Sequence, residues 1–345
     1  MILTPGQLYF INEQDTQTGM RSSYYKIGIV RDADGRDSKI RLLEHQTGNP
    51  RKLVIVETLS MPAVEAVETT LHYLFARNRV MGEWMSFTST ELAQAISKAK
   101  DLATEIKSNL EDFARAEELK SIPSNGVLRE PSDLAEKLHT EAIKFKEIIS
   151  RCDDVIDRYK QYLYQAIERG VDIGNKAELQ AKSGSKKFDE KLFMQNYPDL
   201  AEKYSVMSLS IKGSFRLKPS KNLDFGNSVI DLDRVELISD FKGRLSGADH
   251  SLETGFYLHD KHLAVLETKK FAEWKSDIAL AKLKVLTDQA EGIEGICSWK
   301  REEKQSISLD KKKLQVNHPD EYKSCIVQGA DTEALIVKPR IAEVR

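Results

Sequence analysis

The chain has 345 residues, 40% hydrophobic and 31% charged, with a net charge of −2. That length exceeds one ordinary core, so two or three domains are expected. The near-neutral balance excludes a global pull toward nucleic acid, so the distribution of charge matters more than its total. No run approaches the ~18–20 apolar residues of a membrane-spanning helix. Met1-Ile2-Leu3-Thr4-Pro5 lacks the basic start and apolar core of a secretory leader. Cys152, Cys297 and Cys325 form neither a disulfide framework nor a metal-type pair. The expected compartment is the cytoplasm.

Residues 7–12 and 24–30 are rich in Tyr, Phe, Ile and Val and read as strands, joined by a loop of turn formers. A short helix follows near 38–46 and stops at Gly48-Asn49-Pro50. Residues 52–60 make a third strand. Pro62 opens a helix to about Arg79, whose buried stripe is Val64, Val67, Leu71, Leu74 and Phe75. Thr88, Ser89 or Thr90 caps a further helix from about Glu91 to Lys120. The N-terminal part is therefore α+β, a small three-stranded antiparallel sheet with helices packed on it.

Residues 121–132 read as a linker. Asp133 to Arg169 is long, charged and helical, suited to a helical hairpin or a homodimer contact through these middle helices. Residues 209–217 look strand-like. From Leu252 to about Ala290 the pattern is mostly helical, and no internal repeat stands out. The expected division is a domain over 1–120, a helical middle over 121–205, and a mixed, mostly helical domain over 206–345 that would choose the target.

The chemistry concentrates near the N-terminus. Tyr9 lies on the first strand. Arg41 and His45 sit four residues apart on one face of the short helix. Glu65, Glu68 and His72 follow on the next helix, with Glu68 at the border of its buried stripe. A tyrosine, an arginine, a histidine and a helical carboxylate suit one-metal cleavage of a phosphodiester. Between Arg21 and Lys52 there are eight basic and four acidic residues, a local excess where a phosphate backbone would run.

Five islands carry a resemblance: Tyr9-Phe10-Ile11, Lys26-Ile27-Gly28, Gln46-Thr47-Gly48-Asn49-Pro50, Glu68-Thr69-Thr70-Leu71-His72 and Gly82-Glu83-Trp84. In this order, over roughly the first 90 residues, they resemble the GIY-YIG nuclease superfamily, in the branch with Lys-Ile-Gly as second motif. The resemblance implies that Tyr9 assists deprotonation of the attacking water, Arg41 stabilises charge on the phosphate, and His45 orients the nucleophile or donates a proton. It implies Glu68 as ligand of Mg²⁺ (or Mn²⁺), with His72 and Glu83 as further metal candidates and DNA as partner. Lys26 stands where the second tyrosine is often found. Tyr25 is adjacent and counts with Lys26 among the catalytic candidates; strand alternation points the two to opposite faces, and Lys26 becomes the electrostatic partner if Tyr25 is buried away. The asparagine often found beyond the helix is missing, with Glu83 near its place.

Two further resemblances lie downstream. Leu263 to Lys269 ends in Glu267-x-Lys269, similar to the core strand of PD-(D/E)xK nucleases, with Asp249 or Glu253 as upstream acid; helical spacing explains the same segment. Residues ~279–325 resemble the tail of YqaJ-like phage recombination exonucleases. There Trp299 could stack on a base, and Lys300, Arg301 and Lys311 to Lys313 could touch phosphates. A helix plus a β-hairpin with ordinary surface lysines is the preferred reading of this stretch.

The leading expectation is a metal-dependent DNA endonuclease with a phage-related, restriction-like or defence role. The alternative is a catalytically degenerate GIY-YIG module that binds nucleic acid without cutting. A coiled scaffold is a third reading, resting on residues 133–169.

Overall fold

The computed structural model describes residues 1–171, 174, 176–219 and 229–338. The fold is α+β. Its N-terminal part holds β1 (Gly6–Gln14), β2 (Arg21–Arg31), α1 (Ser38–Gln46), β3 (Lys52–Met61), α2 (Val64–Leu74), β4 (Arg79–Met81), β5 (Trp84–Ser86), α3 (Ser89–Ser108) and α4 (Leu110–Glu118). Among the described residues the sheet has five strands rather than the expected three, in the order β3-β1-β2-β5-β4, all antiparallel. The two extra strands are three residues each, too short for a period-2 pattern to register.

β1 is central and covered on both faces. Leu8 and Phe10 face a core shared with Tyr25, Ile27, Val64, Val67 and Leu71. Tyr9 and Ile11 face the other side, against Val30, Leu53, Leu42 and Trp84. α1 lies on that second side, started by Asp37, whose carboxylate accepts the Ile40 N–H at 2.9 Å. The Gln46-to-Pro50 island is a brace for α1. Gln46 Nε2 donates to the Asn49 and Arg51 carbonyls, and its Oε1 accepts from Leu53 N at 2.8 Å. The expected 91–120 helix breaks at Asn109 into α3 and α4, and Thr88 with Glu91 closes a capping box at its start.

The rest of the chain interleaves the two regions expected as separate. It contains β6 (Leu128–Arg129), α5 (Asp133–Glu168), β7 (Ala177–Lys182), β8 (Lys186–Phe188), α6 (Glu190–Asn196), α7 (Pro198–Lys203), β9 (Ser205–Lys212), β10 (Arg216–Leu217), α8 (Val229–Ser246), α9 (Leu252–Thr287), β11 (Gly292–Ile293), β12 (Cys297–Ser298), β13 (Glu302–Leu309), α10 (Lys311–Asn317), α11 (Pro319–Ser324), β14 (Ile326–Gln328) and β15 (Thr332–Val337). The apolar side of α5 is covered within the chain, by Ile238 and Phe241 of α8 and by Leu258, Val265 and Ala272 of α9. α9 also anchors the N-terminal part, where Trp274 Nε1 donates to Glu105 at 2.9 Å.

This half is an internal repeat. α5 and α9 each run 36 residues. β7 and β8, an Asp-capped pair of short helices and β9 follow the first; after the β11–β12 hairpin, β13, an Asp-capped pair of short helices, and β14 and β15 follow the second. The shared pattern is Asp189, Phe193, Asn196, Pro198, Asp199 against Asp310, Leu314, Asn317, Pro319, Asp320, at identical spacing. Asp189 N–H donates to Cys325 O at 2.8 Å, and Asp310 N–H donates to Tyr204 O at 2.9 Å. β9 pairs with β13, β8 with β14 and β7 with β15, each strand with one from the other copy. The two copies interlock about an approximate two-fold axis around Phe193, Leu314 and Cys325. Low identity between the copies hid the repeat from the sequence pattern.

Three downstream expectations are corrected. Glu267 and Lys269 lie in the middle of helix α9, where Lys269 pairs with Asp153 at 2.6 Å; no strand is there to build a PD-(D/E)xK core. Trp299 and Arg301 are almost fully buried. The Arg301 guanidinium packs on the Trp299 ring and donates to the Leu119 carbonyl at 2.9 Å. These side chains lock the linker against the end of α9, so they are closed to a phosphate or base. The linker itself is fixed by Ser124 N–H to Arg301 O and by β6 pairing with β11.

Candidate active site

The site forms where α1 crosses the Tyr9 face of the sheet. Tyr9 is 1% exposed, and its hydroxyl lies 3.2 Å from His45 Nε2. The ring occupies space that only glycine leaves open. A Cβ on Gly28 would come within 2.6 Å of the phenol oxygen. The Ile-Gly of the second strand is thus explained by close approach of a ring to backbone. Burial pushes the Tyr9 phenol up to about 12, although the neighbouring Arg41 guanidinium works the other way.

His45 sits one turn after Arg41 on α1. Burial, then the charges of Lys26 and Arg41, hold its imidazole below the ordinary value. Arg41 reaches Glu44 at 2.5 Å, and Arg36 shares the same carboxylate. Lys26 is almost buried and forms an ion pair with Glu83 from the β4–β5 turn. Burial raises the Glu83 carboxyl, the hydrogen bond and charge of Lys26 lower it, and the net is below the ordinary value.

Glu68 approaches from α2. It is half-buried, and no hydrogen bond or ion pair is formed by its carboxylate among the described residues. Burial and the neighbouring Glu83 charge push it up to about 7, against the pull of Lys26 and Arg31. These groups feel one another: Tyr9 senses Arg41, Glu83 and Glu68, while Glu68 senses Glu83 and Lys26. An unpartnered, partly desolvated carboxylate beside a second one fits a hard divalent cation completed by waters and phosphate oxygens. Among the described residues no group of three or more His, Cys, Asp or Glu side chains is arranged to hold a metal.

The structure therefore brings together Tyr9, Lys26, Arg41, His45, Glu68 and Glu83. It does not bring in Tyr25, which is buried against Phe87 in the core on the opposite face. His72 lies at the same strand edge, but its Nε2 is 3.2 Å from the Ile27 carbonyl and serves as a hydrogen-bond donor to it. Glu65 is taken by Arg31 at 2.5 Å and Thr4 at 3.2 Å. Trp84 packs beside Tyr9 and was not singled out from sequence; its place in Gly82-Glu83-Trp84 is the signal that marked it.

Residues 6–100 match the T5orf172 domain family, a domain linked to nuclease-like phage proteins. No curated protein and no solved structure matches the chain. Among the described residues no helix is long and apolar enough to cross a membrane.

Proposed function

We propose that the N-terminal domain is a metal-dependent endonuclease of GIY-YIG type that hydrolyses DNA phosphodiester bonds, in a phage-related or defence setting. The observation that carries this reading is the convergence of Tyr9, Arg41, His45, Lys26, Glu83 and Glu68, from β1, α1, β2, the β4–β5 turn and α2, around one site. The match of residues 6–100 to a nuclease-linked domain supports it.

The phenol is too weak an acid to stand ready as a phenolate near neutral pH, when burial places it near 12. Tyr9 then works as a relay. Its oxygen takes a proton from the attacking water while its own proton passes to neutral His45 Nε2 at 3.2 Å. The water oxygen bonds to phosphorus, the P–O ester bond breaks, and the leaving oxygen takes up a proton from solvent. Arg41 neutralises the charge that builds on the phosphate, and Lys26 keeps Glu83 ionised at the rim. Glu68, with Glu83 beside it, would hold Mg²⁺ or Mn²⁺. The cation, when bound, supplies positive charge for the phosphate oxygens and favours ionisation of water.

The alternative, a module that binds nucleic acid without cutting, draws on the ion pairs of Lys26 and Arg41, which engage both cations with carboxylates of this chain. Incubation of the full chain with plasmid and phage genomic DNA separates the two. Cutting that needs Mg²⁺ or Mn²⁺, stops with chelator and is lost in Glu68→Ala is the expected result. DNA binding without cutting, unchanged in Glu68→Ala, would establish the alternative.

A further inference from the structure

The two copies of the C-terminal repeat provide an internal control for one another. Met207 and Ile307 face each other across β9 and β13. Together with Leu209 they are 62–65% exposed. At the equivalent places of the other copy, Gln328 faces Lys186 and Ala330 replaces Leu209. Both ribbons form, so the apolar face on β9 and β13 is not a folding requirement of the unit.

The edges differ in the same way. Among the described residues β9 is bonded on one edge only, to β13. From Ser205 to Ile211 it carries no charge and no proline, the devices that normally protect an open edge. β13 begins with Glu302, Glu303 and Lys304. The equivalent strand of the other copy is interrupted by Gly329 and followed by Asp331 and Glu333. The residues Met207-Ser208-Leu209-Ser210-Ile211 read the same by type in either direction. Antiparallel pairing of this edge with itself places Met207 opposite Ile211, Ser208 opposite Ser210 and Leu209 opposite Leu209. Apolar side chains then meet apolar ones, and serines meet serines.

We propose that β9 is the surface by which two copies of this chain associate, edge to edge about a two-fold axis through Leu209. The two ribbons become one four-stranded sheet, a closed isologous contact. The pairing satisfies the free backbone groups of both β9 edges and sets Met207, Leu209 and Ile211 of the two copies side by side on one face. A concentration-dependent dimer follows. The helix α5, whose apolar side is already covered by α8 and α9, is not its contact.

Sedimentation velocity of the full chain across the micromolar range tests this. The wild type is expected to shift from monomer to dimer. Leu209→Lys should weaken association at least tenfold, while Ala330→Lys, at the equivalent place of the other copy, should leave it unchanged. Because Cys152, Cys297 and Cys325 are buried, Leu209→Cys should give a disulfide-linked dimer on mild oxidation, and Ala330→Cys should not. Circular dichroism checks that each variant is folded. A wild type that stays monomeric, a dimer untouched by Leu209→Lys, or no cross-link at Leu209→Cys would overturn the proposal.

Discussion

Two tyrosine–histidine pairs lie in this molecule at almost the same separation. Tyr9 Oη is 3.2 Å from His45 Nε2, and Tyr159 Oη is 3.1 Å from His259 Nδ1. Both phenols are nearly inaccessible, and burial raises both above the ordinary tyrosine value. Their neighbours differ. Arg41, Lys26, Glu83 and Glu68 surround the first pair. The second is enclosed by the rings of Tyr162, Phe241 and His262 between α5, α8 and α9. On the proposed function the first pair takes part in the chemistry and the second only in packing, and the surrounding charges make the difference.

Exchange of the hydroxyls breaks the comparison most sharply. Tyr9→Phe is expected to lower the cleavage rate by roughly 10²–10⁴-fold, the range of a lost proton-transfer group, with a stability cost of about 1 kcal/mol for the lost buried hydrogen bond. Tyr159→Phe removes a buried hydrogen bond and is expected to cost about 1 kcal/mol of stability, with the cleavage rate unchanged. Parallel cleavage assays and melting curves read both effects. Equal loss of cutting in the two variants would remove Tyr9 from the mechanism.

Arg41→Lys tests the charges around the first pair. Lysine keeps the charge but not the planar fork that Arg41 can present to a phosphate while it contacts Glu44. A fall of roughly 10²-fold in cleavage rate is expected, the lower range for removal of one charge-stabilising donor. The ratio of kcat to KM effects identifies the step: a change confined to KM would make Arg41 a binding contact only.

Much of the N-terminal site was legible because its residues fall at fixed offsets on short elements. Tyr9, Arg41, His45 and Glu68 were placed by the family resemblance of five short islands, with helical spacing adding that His45 shares a face with Arg41 and that Glu68 borders the buried stripe; the pleat put Tyr25 and Lys26 on opposite faces without saying which turns to the site. The Lys26–Glu83 ion pair was less legible, since it depends on a two-residue turn between strands of three residues. The C-terminal repeat was not legible. Its signature is a few polar positions, an Asp cap and an Asn-x-Pro-Asp turn, scattered over segments too short for periodicity. Trp299 and Arg301 looked like surface chemistry because nothing local announces that the linker folds back over them.

His262, whose ring helps to enclose the second pair, predicts an acid weakness in the helical half. The His262 ring packs at a tilt against Tyr159, is 4% exposed, and its Nδ1 is without a hydrogen-bond partner among the described residues. Burial, with the charges of His259 and Lys160, lowers its imidazole to about 3. Unfolding restores the ordinary value near 6.5, so between these limits the unfolded chain binds the extra proton. Stability should therefore fall as pH drops below about 6.5. His262→Leu removes that liability, and near pH 4.5 the variant is expected to exceed the wild type by roughly 2 kcal/mol. The two should be close at pH 8, as urea titrations at both values would show.

Glu68 has the opposite sign. Its folded value of about 7 lies above the ordinary carboxylate value. The folded chain holds its proton more tightly than the unfolded one, so that stability is fully present below about pH 4.5 and is lost as pH rises through 7. Glu68→Gln mimics the protonated form. It is expected to be more stable than the wild type at pH 8, by about 1 kcal/mol once solvent screening of a half-buried group is allowed for. Near pH 4.5 the difference should vanish. Mg²⁺ at pH 8 should raise the melting temperature of the wild type and leave that of Glu68→Gln unchanged, because only the ionised carboxylate has a charge to neutralise. A site that costs stability until a cation arrives would separate Glu68 from the buried groups of the helical half, whose burial serves packing alone. If Mg²⁺ stabilised both proteins equally, the cation would be bound elsewhere.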